Sequence, residues 1–241
     1  MTPVSTAPMF SRIAARYDRI NTVLSLGRHR QWKRALGKFL PPGRGLSVLD
    51  TASGTGDTAL ELIRHYPSIH TITALDASHA MLALARRKVC RFGAEGNMRL
   101  TAGDALNLPF RDRSFDAVTM SFGIRNTDDP KKALTEACRV LRDGGRMIIL
   151  EFARPQNPLF RWPYFLYMKV MVEGVGGMLS GDRPAYAYLT RSICDFPCGK
   201  DFTRLLKQAG FTDVMLQPMM FGAVMIYCAA VKKAKGANTT L

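Results

Sequence analysis

Acidic residues are scarce in this 241-residue chain, which has 19 Asp and Glu against 34 Lys and Arg and a net charge of +15. Five scattered cysteines form no disulfide framework. Cys194 and Cys198 lack a second pair or a nearby His at zinc-ligand spacing, so we expect no metal site. No uninterrupted apolar run reaches the roughly 18 residues that span a bilayer, and the first residues lack a secretory signal pattern. We therefore expect a cytoplasmic protein.

The positive charge is concentrated near the amino end. Residues 1–45 hold nine basic residues against one acid, Asp18, a net of +8. Apolar residues recur at spacings of three and four between Phe10 and Leu24, which predicts one stripe of an amphipathic helix or helix pair. Such a charge excess favours an anionic partner surface, either nucleic acid or the headgroups of a cytoplasmic leaflet.

The most informative stretch is the loop over residues 50–57. A short apolar run ends in Asp50 and then in a turn rich in small residues, Ala52, Gly54 and Gly56, before a helix-like run begins. Small residues let the backbone approach a ligand and direct helix amides at an anion. Their spacing differs from the G-x-G-x-x-G of dinucleotide enzymes. It fits the S-adenosylmethionine (SAM) methyltransferase version of the fold.

Strand-like and helix-like segments then alternate as far as residue 152, as a parallel α/β sheet requires. Asp76 ends the second strand about 20 residues after the loop, the distance at which an acid accepts hydrogen bonds from a ribose diol. Asp104 and Ala105 follow the third strand, where adenine would lie, and Ser121 ends the fourth, where methionine would meet an acceptor. All these positions are strand carboxyl ends, where such sheets bind ligands.

We predict one α/β domain with a doubly wound, Rossmann-like sheet and added helical segments. The predicted divisions are basic amphipathic helices covering the site (1–45), the SAM-binding core (46–153), a helical, aromatic-rich cap that faces a membrane (154–200), a C-terminal helix with closing strands (201–232) and a flexible tail (233–241).

Several sequence motifs resemble those of the ubiquinone/menaquinone biosynthesis C-methyltransferase family. Two of them are the most specific. One is an amino-terminal motif that runs from Tyr17-Asp18 through Asn21 and His29 to Trp32-Lys33, and the other is Phe122-Gly123-Ile124-Arg125-Asn126. The resemblance covers roughly residues 9–232. It implies a class I SAM-dependent methyltransferase that transfers a methyl group to a ring carbon of a polyprenylated quinol. Demethylmenaquinol is the favoured acceptor, with a benzoquinol of ubiquinone biosynthesis left open.

The resemblance also implies residue roles, which agree with the loop and strand ends above. The SAM contacts map onto Thr55, Asp76, Asp104, Ala105 and Ser121, and the substrate-binding residues are Tyr17, Asn21 and Trp32. The loop departs from the family at Ser53, where Gly is common, a small-for-small change that should keep SAM.

Carbon methylation requires a ring hydroxyl to lose its proton, because the neutral ring is a poor nucleophile. With a phenol pKa of about 10, that ionisation costs roughly 4 kcal/mol at neutral pH. Arg125 is the best candidate to stabilise the phenolate, since a guanidinium does not act as a base in proteins. Asn126 would hold the quinol oxygen, and His29 is the alternative base.

Two other functions compete with this interpretation. The sequence pI of about 10 suggests a nucleic-acid methyltransferase. However, enzymes that methylate amino groups carry an acid or Asn followed by Pro-Pro at the end of the fourth strand, and this chain has Ser121-Phe122-Gly123 at that position. A non-catalytic SAM-fold component of a quinone-biosynthesis assembly is the second alternative. We favour an enzyme that binds no nucleic acid and docks peripherally on the anionic inner face of the cytoplasmic membrane. A homodimer is left open.

Overall fold

A seven-stranded sheet is the centre of the computed structural model, which describes residue 14 and residues 18–232. The strand order is β3-β2-β1-β4-β5-β7-β6. The first five strands run parallel, whereas β7 is antiparallel to both β5 and β6. The bounds are β1 Leu46–Thr51, β2 Ile69–Asp76, β3 Met98–Ala102, β4 Phe115–Ser121, β5 Leu141–Phe152, β6 Phe211–Met219 and β7 Val224–Val231. The predicted doubly wound α/β sheet is confirmed.

Two of the helices that connect the strands begin at side-chain caps that the sequence predicts. Ser78 accepts a hydrogen bond from the Met81 amide at 3.3 Å, and Asp129 accepts one from Lys132 at 2.9 Å, with Pro130 in the first turn. The helices are α1 His29–Ala35, α2 Asp57–His65, α3 His79–Phe92, α4 Pro130–Val140, α5 Pro158–Tyr167, α6 Gly177–Ser180, α7 Arg183–Asp195 and α8 Lys200–Gln208. Short 3-10 turns lie at Leu36–Phe39, Ile124–Asn126 and Met220–Gly222.

Two buried apolar clusters include residues from the sheet and its flanking helices. One joins β4 and β5 with α4 and α8, and the other joins β1 and β2 with α1 and α2. Such burial on both faces is what a central parallel sheet requires. Because the strand order reverses between β1 and β4, the carboxyl ends of these two strands diverge and leave a crevice for a ligand.

The fifth strand is longer than the sequence suggests. We expected Gly144-Gly145 to form a turn before a strand at residues 147–152, yet β5 begins at Leu141. Gly144 takes a positive φ of 74° inside the strand, and the register with β4 shifts between Phe115 and Ala117. Here β5 advances five residues, from Leu141 to Arg146, while β4 advances two, from Phe115 to Ala117, so the predicted Gly144-Gly145 turn lies inside the strand.

The added segments pack against one another above the carboxyl edge of the sheet. Residues 18–24 are helical, and Ile20 lies in a third apolar cluster with Met168, Val172 and Tyr186 of the predicted cap. Between α5 and α6 the cap contains a wide, π-type helical stretch, Met168–Gly176, which the sequence pattern does not reveal. Within residues 18–232, no helix is both long and apolar enough to cross a membrane.

Candidate active site

Two adjoining cavities open at the carboxyl ends of β1, β2 and β4. The larger has a volume of about 400 Å³ and the smaller about 190 Å³. Both are lined by Ala52 and Gly54 of the first loop and by Ser121, Phe122 and Asn126 after β4. The two cavities therefore meet at the crevice that the strand order predicts, and one elongated ligand can extend through both.

Asp76 lies in the smaller cavity and is held by backbone amides. Its Oδ2 accepts a hydrogen bond from Gly54 N at 2.7 Å, and its Oδ1 accepts one from Ser78 N at 2.8 Å. Burial raises the pKa of this carboxyl group, while the two amide hydrogen bonds lower it. Each oxygen retains acceptor capacity beyond its amide, so the fixed carboxylate can bind a pair of ribose hydroxyls.

The remaining walls of the smaller cavity suit an adenine ring. Ala105 is buried beneath the cavity, and Leu75 and Met81 provide apolar surface. Asp104 also lines it, and its carboxylate accepts a hydrogen bond from Leu106 N at 2.9 Å, which fixes its orientation. An acceptor at the rim of an apolar slot is what an exocyclic amino group requires.

Two buried hydroxyl groups mark the junction with the larger cavity. Among the described residues, neither Ser53 Oγ nor Ser121 Oγ has a hydrogen-bond partner, although both residues line the larger cavity. Buried hydroxyls are normally paired, so these atoms fit the polar amino-acid end of SAM. Ser53, the departure from the family pattern, thus adds a polar group at this end.

Asp50 and Gly56, which the sequence predicts to bind the cofactor, line neither cavity. Asp50 is 1% exposed and accepts a hydrogen bond from Thr119 Oγ1 at 2.7 Å, and burial raises its pKa to about 7. Gly56 has a φ of +79°, and a Cβ there would lie 3.0 Å from Met98 Cε. Both residues therefore support the conformation of the loop without lining the space for a ligand.

Thr55 connects the loop to the helical segment at residues 18–24. Its hydroxyl donates to Asp18 Oδ1 at 2.7 Å and accepts from Lys88 Nζ at 2.8 Å. Lys88 also pairs with Asp18 Oδ2 at 2.6 Å and with Asp57. Burial alone would raise the pKa of Asp57, but the charges of Lys33 and Lys88 lower it to about 2. Sequence reasoning missed Lys88, because one lysine in a helix carries no distinctive signal.

Arg125 and Asn126 lie together on the wall of the larger cavity. The Arg125 side chain is 4% exposed and donates to Phe122 O at 2.9 Å and to Glu151 Oε1 at 2.6 Å. The Asn126 amide donates to the same carbonyl at 3.0 Å, and Tyr188 donates to Asn126 Oδ1 at 3.4 Å. This pairing fixes a positive charge beside the cavity junction. Glu151 received no role from the sequence, although an acid at a strand carboxyl end was the available signal.

The residues predicted near the amino end are only partly described. His29, Asn21 and Trp32 line the larger cavity, whereas Tyr17 lies outside the described residues. His29 is 5% exposed, and its Nδ1 is 2.8 Å from Ser25 Oγ. Burial and then the Lys33 charge lower the pKa of His29 to about 4. At neutral pH the ring is therefore uncharged and a weak proton acceptor.

Most of the larger cavity is apolar. Its wall combines side chains from the 18–24 segment, α1, the carboxyl ends of β4 and β5, the cap and the start of β7. They are Leu24, Trp32, Phe122, Phe152, Phe160, Tyr164, Met168, Val172, Tyr186, Leu189, Ile193 and Val224. Leu26 and Phe221 also line it and are 80% and 71% exposed, so the cavity reaches the surface between them. An acceptor with a long apolar portion suits this shape better than a nucleotide.

Comparisons with known proteins agree with this geometry. The model of the ubiE/COQ5 methyltransferase family matches residues 4–232. A ubiquinone/menaquinone biosynthesis C-methyltransferase of Geobacter sulfurreducens is 41% identical, across 91% of this chain and 85% of the relative. The Roseobacter denitrificans protein of that name is 38% identical over 91% and 87%. Among solved structures, a SAM-dependent methyltransferase of Thermotoga maritima aligns with TM-score 0.65 and 22% identity, covering 94% and 99% of the two chains.

Proposed function

Because the chain belongs to the ubiE/COQ5 methyltransferase family, we propose that its acceptor is a polyprenylated quinol, with demethylmenaquinol as the favoured substrate. The chain is a SAM-dependent C-methyltransferase, and SAM would supply an electrophilic methyl group where the two cavities meet. Asp76, Asp104 and the loop hydroxyl of Ser53 would hold its ribose, adenine and amino-acid parts. The acceptor ring would then lie in the larger cavity.

The apolar larger cavity is the observation that supports a prenylated acceptor. Its volume of about 400 Å³ has one polar end, at Arg125 and Asn126, and aromatic or aliphatic walls elsewhere. A ring with ionisable hydroxyls matches the polar end, and an isoprenoid tail matches the walls and the surface opening. An RNA base carries no long apolar portion, so it would leave most of the aromatic and aliphatic wall without a contact.

Arg125 would lower the cost of ionising the ring hydroxyl. Its guanidinium is fixed by Glu151 and by the Phe122 carbonyl, so it needs no reorganisation when negative charge develops. Asn126 would bind the same ring oxygen or its neighbour. With an ionised hydroxyl, electron density moves onto the adjacent ring carbon, which can then attack the methyl group.

The experiment for this proposal offers competing acceptors to the purified protein. Methyl-labelled SAM is incubated under reducing conditions with demethylmenaquinol, with a demethylated benzoquinol and with bulk RNA. We expect label on the naphthoquinol first and on the benzoquinol second. Label on RNA alone would refute the quinol assignment, and SAM binding without any transfer would favour a non-catalytic role.

We also propose that the enzyme docks peripherally on the inner face of the cytoplasmic membrane, where its substrate's tail lies. Leu159 and Trp162 of α5 are 74% and 71% exposed. The neighbouring Phe160 ring stacks on Phe221 with centroids 4.3 Å apart, so this apolar surface is continuous with the cavity mouth. Arg28 is exposed beside it and contacts Met220 Sδ at 3.7 Å. Exposed apolar side chains flanked by basic ones favour an anionic leaflet.

Flotation with liposomes tests the docking proposal. The double variant Leu159→Ser, Trp162→Ser should bind anionic vesicles at least about tenfold more weakly, because two side chains no longer enter the interface. The matched control is Met215→Ser, at a methionine that is 51% exposed on β6 and lines neither cavity. Equal flotation of the double variant and the control would contradict the proposed surface, as would equal binding of the wild type to neutral and anionic vesicles.

A further inference from the structure

A closed polar network fastens the 18–24 segment to the cofactor loop. Asp18 Oδ1 accepts a hydrogen bond from Thr55 Oγ1 at 2.7 Å, and Asp18 Oδ2 lies 2.6 Å from Lys88 Nζ. Lys88 Nζ also donates to Thr55 Oγ1 at 2.8 Å and pairs with Asp57, the first residue of α2. Asp18, Thr55 and Lys88 thus each contact the other two, so the segment, the loop and α3 are joined at one point.

The hydroxyl of Thr55 is fully engaged in this network. Thr55 is 2% exposed, and its single hydroxyl proton is donated to Asp18 while its oxygen accepts from Lys88. A threonine hydroxyl has only one proton to donate. The SAM contact that the family resemblance assigns to Thr55 therefore cannot use this proton while the network is intact.

The same segment forms part of the wall of the larger cavity. Asn21 and Leu24 of the segment line that cavity, together with Ser53 and Gly54 of the cofactor loop. At its far end the segment contacts the cap, because the Tyr167 hydroxyl of α5 donates to Leu24 O. The segment is thus held by the cofactor loop at one end and by the cap at the other, and its displacement would open the cavity.

A two-residue turn connects the segment to α1 and has the geometry of a hinge. Leu26 and Gly27 both take left-handed conformations, with φ values of +50° and +74°. Such a φ is uncommon for a residue that carries a side chain. Leu26 is 80% exposed, and a Cβ at Gly27 would meet no heavy atom of the described residues within 4 Å. The backbone of this turn can therefore rotate without disturbing the buried Trp32 of α1.

We infer that the 18–24 segment is a lid that turns about Leu26 and Gly27, and that Asp18, Thr55 and Lys88 form the latch that holds it closed. Asp18 and Lys88 are positioning residues, because they hold Asn21 and Leu24 in the cavity wall. The side chains of Lys88 and Asp18 are 21% and 38% exposed, and partly exposed ion pairs are weak enough to open reversibly. Exchange of the cofactor requires the latch to open. This inference involves SAM alone, so it stands or falls independently of the quinol assignment.

Release of S-adenosylhomocysteine (SAH), the demethylated cofactor, tests the latch without turnover. Protein loaded with radiolabelled SAH is chased with excess unlabelled SAH, and the dissociation rate constant is measured. Lys88→Met should release SAH about fivefold faster than the wild type. The control Arg142→Met removes an ion pair to Asp116 that is also 2.6 Å long and lies away from both cavities, and it should match the wild type. A Lys88→Met rate within twofold of the wild type would overturn the inference.

Two substitutions of Thr55 separate the latch from the loss of a direct cofactor contact. Thr55→Ser keeps the hydroxyl and should release SAH at the wild-type rate, whereas Thr55→Val should release it about fivefold faster. The double variant Thr55→Val, Lys88→Met should be no faster than the faster single variant, because both changes open the same latch. If the two effects multiply, Thr55 and Lys88 act separately and the latch is excluded. Equal rates in Thr55→Ser and Thr55→Val would exclude it as well.

Ionic strength provides a further check on the latch, since SAH carries no net charge of its own. Release from the wild type should become faster as salt screens the partly exposed pairs, and release from Lys88→Met should respond less. The same salt dependence in both proteins would contradict an ionic latch.

Amide hydrogen exchange of the cofactor-free protein tests whether the lid moves as a separate unit. The amides of the 18–24 segment should exchange about fivefold faster in Lys88→Met than in the wild type, whereas those of α1, beyond the hinge, should be unchanged. Saturating SAH should slow exchange of the segment in the wild type. Unchanged exchange of the segment in Lys88→Met, or the same acceleration throughout α1, would contradict a lid hinged at Leu26 and Gly27.

Discussion

Replacing Asp76 should weaken SAM binding through a loss that the geometry lets us estimate. The carboxylate is fixed by Gly54 N at 2.7 Å and Ser78 N at 2.8 Å, so it meets the ribose without rearrangement. A hydrogen bond to a charged group contributes about 1.5–3 kcal/mol. Asp76→Ala removes the ribose contact and also takes the acceptor from both amides, which loosens the loop.

With a loss of about 3 kcal/mol, the SAM dissociation constant should rise about a hundredfold, since each 1.4 kcal/mol is tenfold. Asp76→Asn keeps the shape, but its amino group faces a backbone donor, and we expect a rise of about tenfold. Calorimetric titration with SAM measures both values.

The matched control is Asp143→Asn, because Asp143 lies near the start of β5, at the opposite edge of the sheet, and pairs with Arg113 at 3.6 Å. Its SAM affinity should equal that of the wild type. If Asp76→Ala is folded, as circular dichroism and thermal unfolding report, and binds SAM within threefold of the wild type, Asp76 is not the ribose acceptor.

Three further changes have expected outcomes. His29→Gln should gain on the order of 2 kcal/mol of stability relative to the wild type between pH 7.5 and pH 5. The folded pKa of about 4 lies below the ordinary histidine value of 6.5, so protonation favours the unfolded wild-type chain. Urea unfolding at both pH values measures this, and a constant difference would contradict it. Lys88→Met removes the ion pair to Asp18 and should speed tryptic cleavage of the 18–24 segment, whereas an unchanged rate would show that the pair does not secure it. Gly56→Ala should lower the free energy of unfolding by about 1–2 kcal/mol, because the φ of Gly56 is +79°. The control Gly96→Ala should change the free energy of unfolding little, since no heavy atom lies within 4 Å of the added Cβ. Equal shifts of the thermal unfolding midpoint in the two variants would contradict that reasoning.

The alternation of strands and helices and the ligand edge could be predicted because they follow from local patterns. Alternating apolar runs, capping residues such as Ser78 and acids such as Asp76 at strand ends each carry a signal in the sequence. The doubly wound sheet and the lining of the cavities by Asp76, Asp104 and Ser121 then follow from the topology of parallel strands.

The features that sequence reasoning missed depend on contacts between distant segments. The pairing of Glu151 with Arg125 joins β5 to the turn after β4, and the network of Lys88 joins α3 to residues 18–24. Asp50, which the sequence predicts to bind the cofactor, lines neither cavity, because an acid at a strand end can face the neighbouring strand instead. The homodimer and the division into segments stay predictions.

Regiochemistry is the most direct test of the central claim, that the cavity methylates a ring carbon of an ionised quinol. The protein is incubated with SAM carrying a carbon-13 methyl group and with demethylmenaquinone, either reduced to the quinol or left oxidised, and the product is examined by carbon NMR. We expect the labelled methyl on a ring carbon, and only in the reduced sample, because the oxidised ring has no hydroxyl to ionise. A methyl group on oxygen, or equal product from the oxidised ring, would contradict the account.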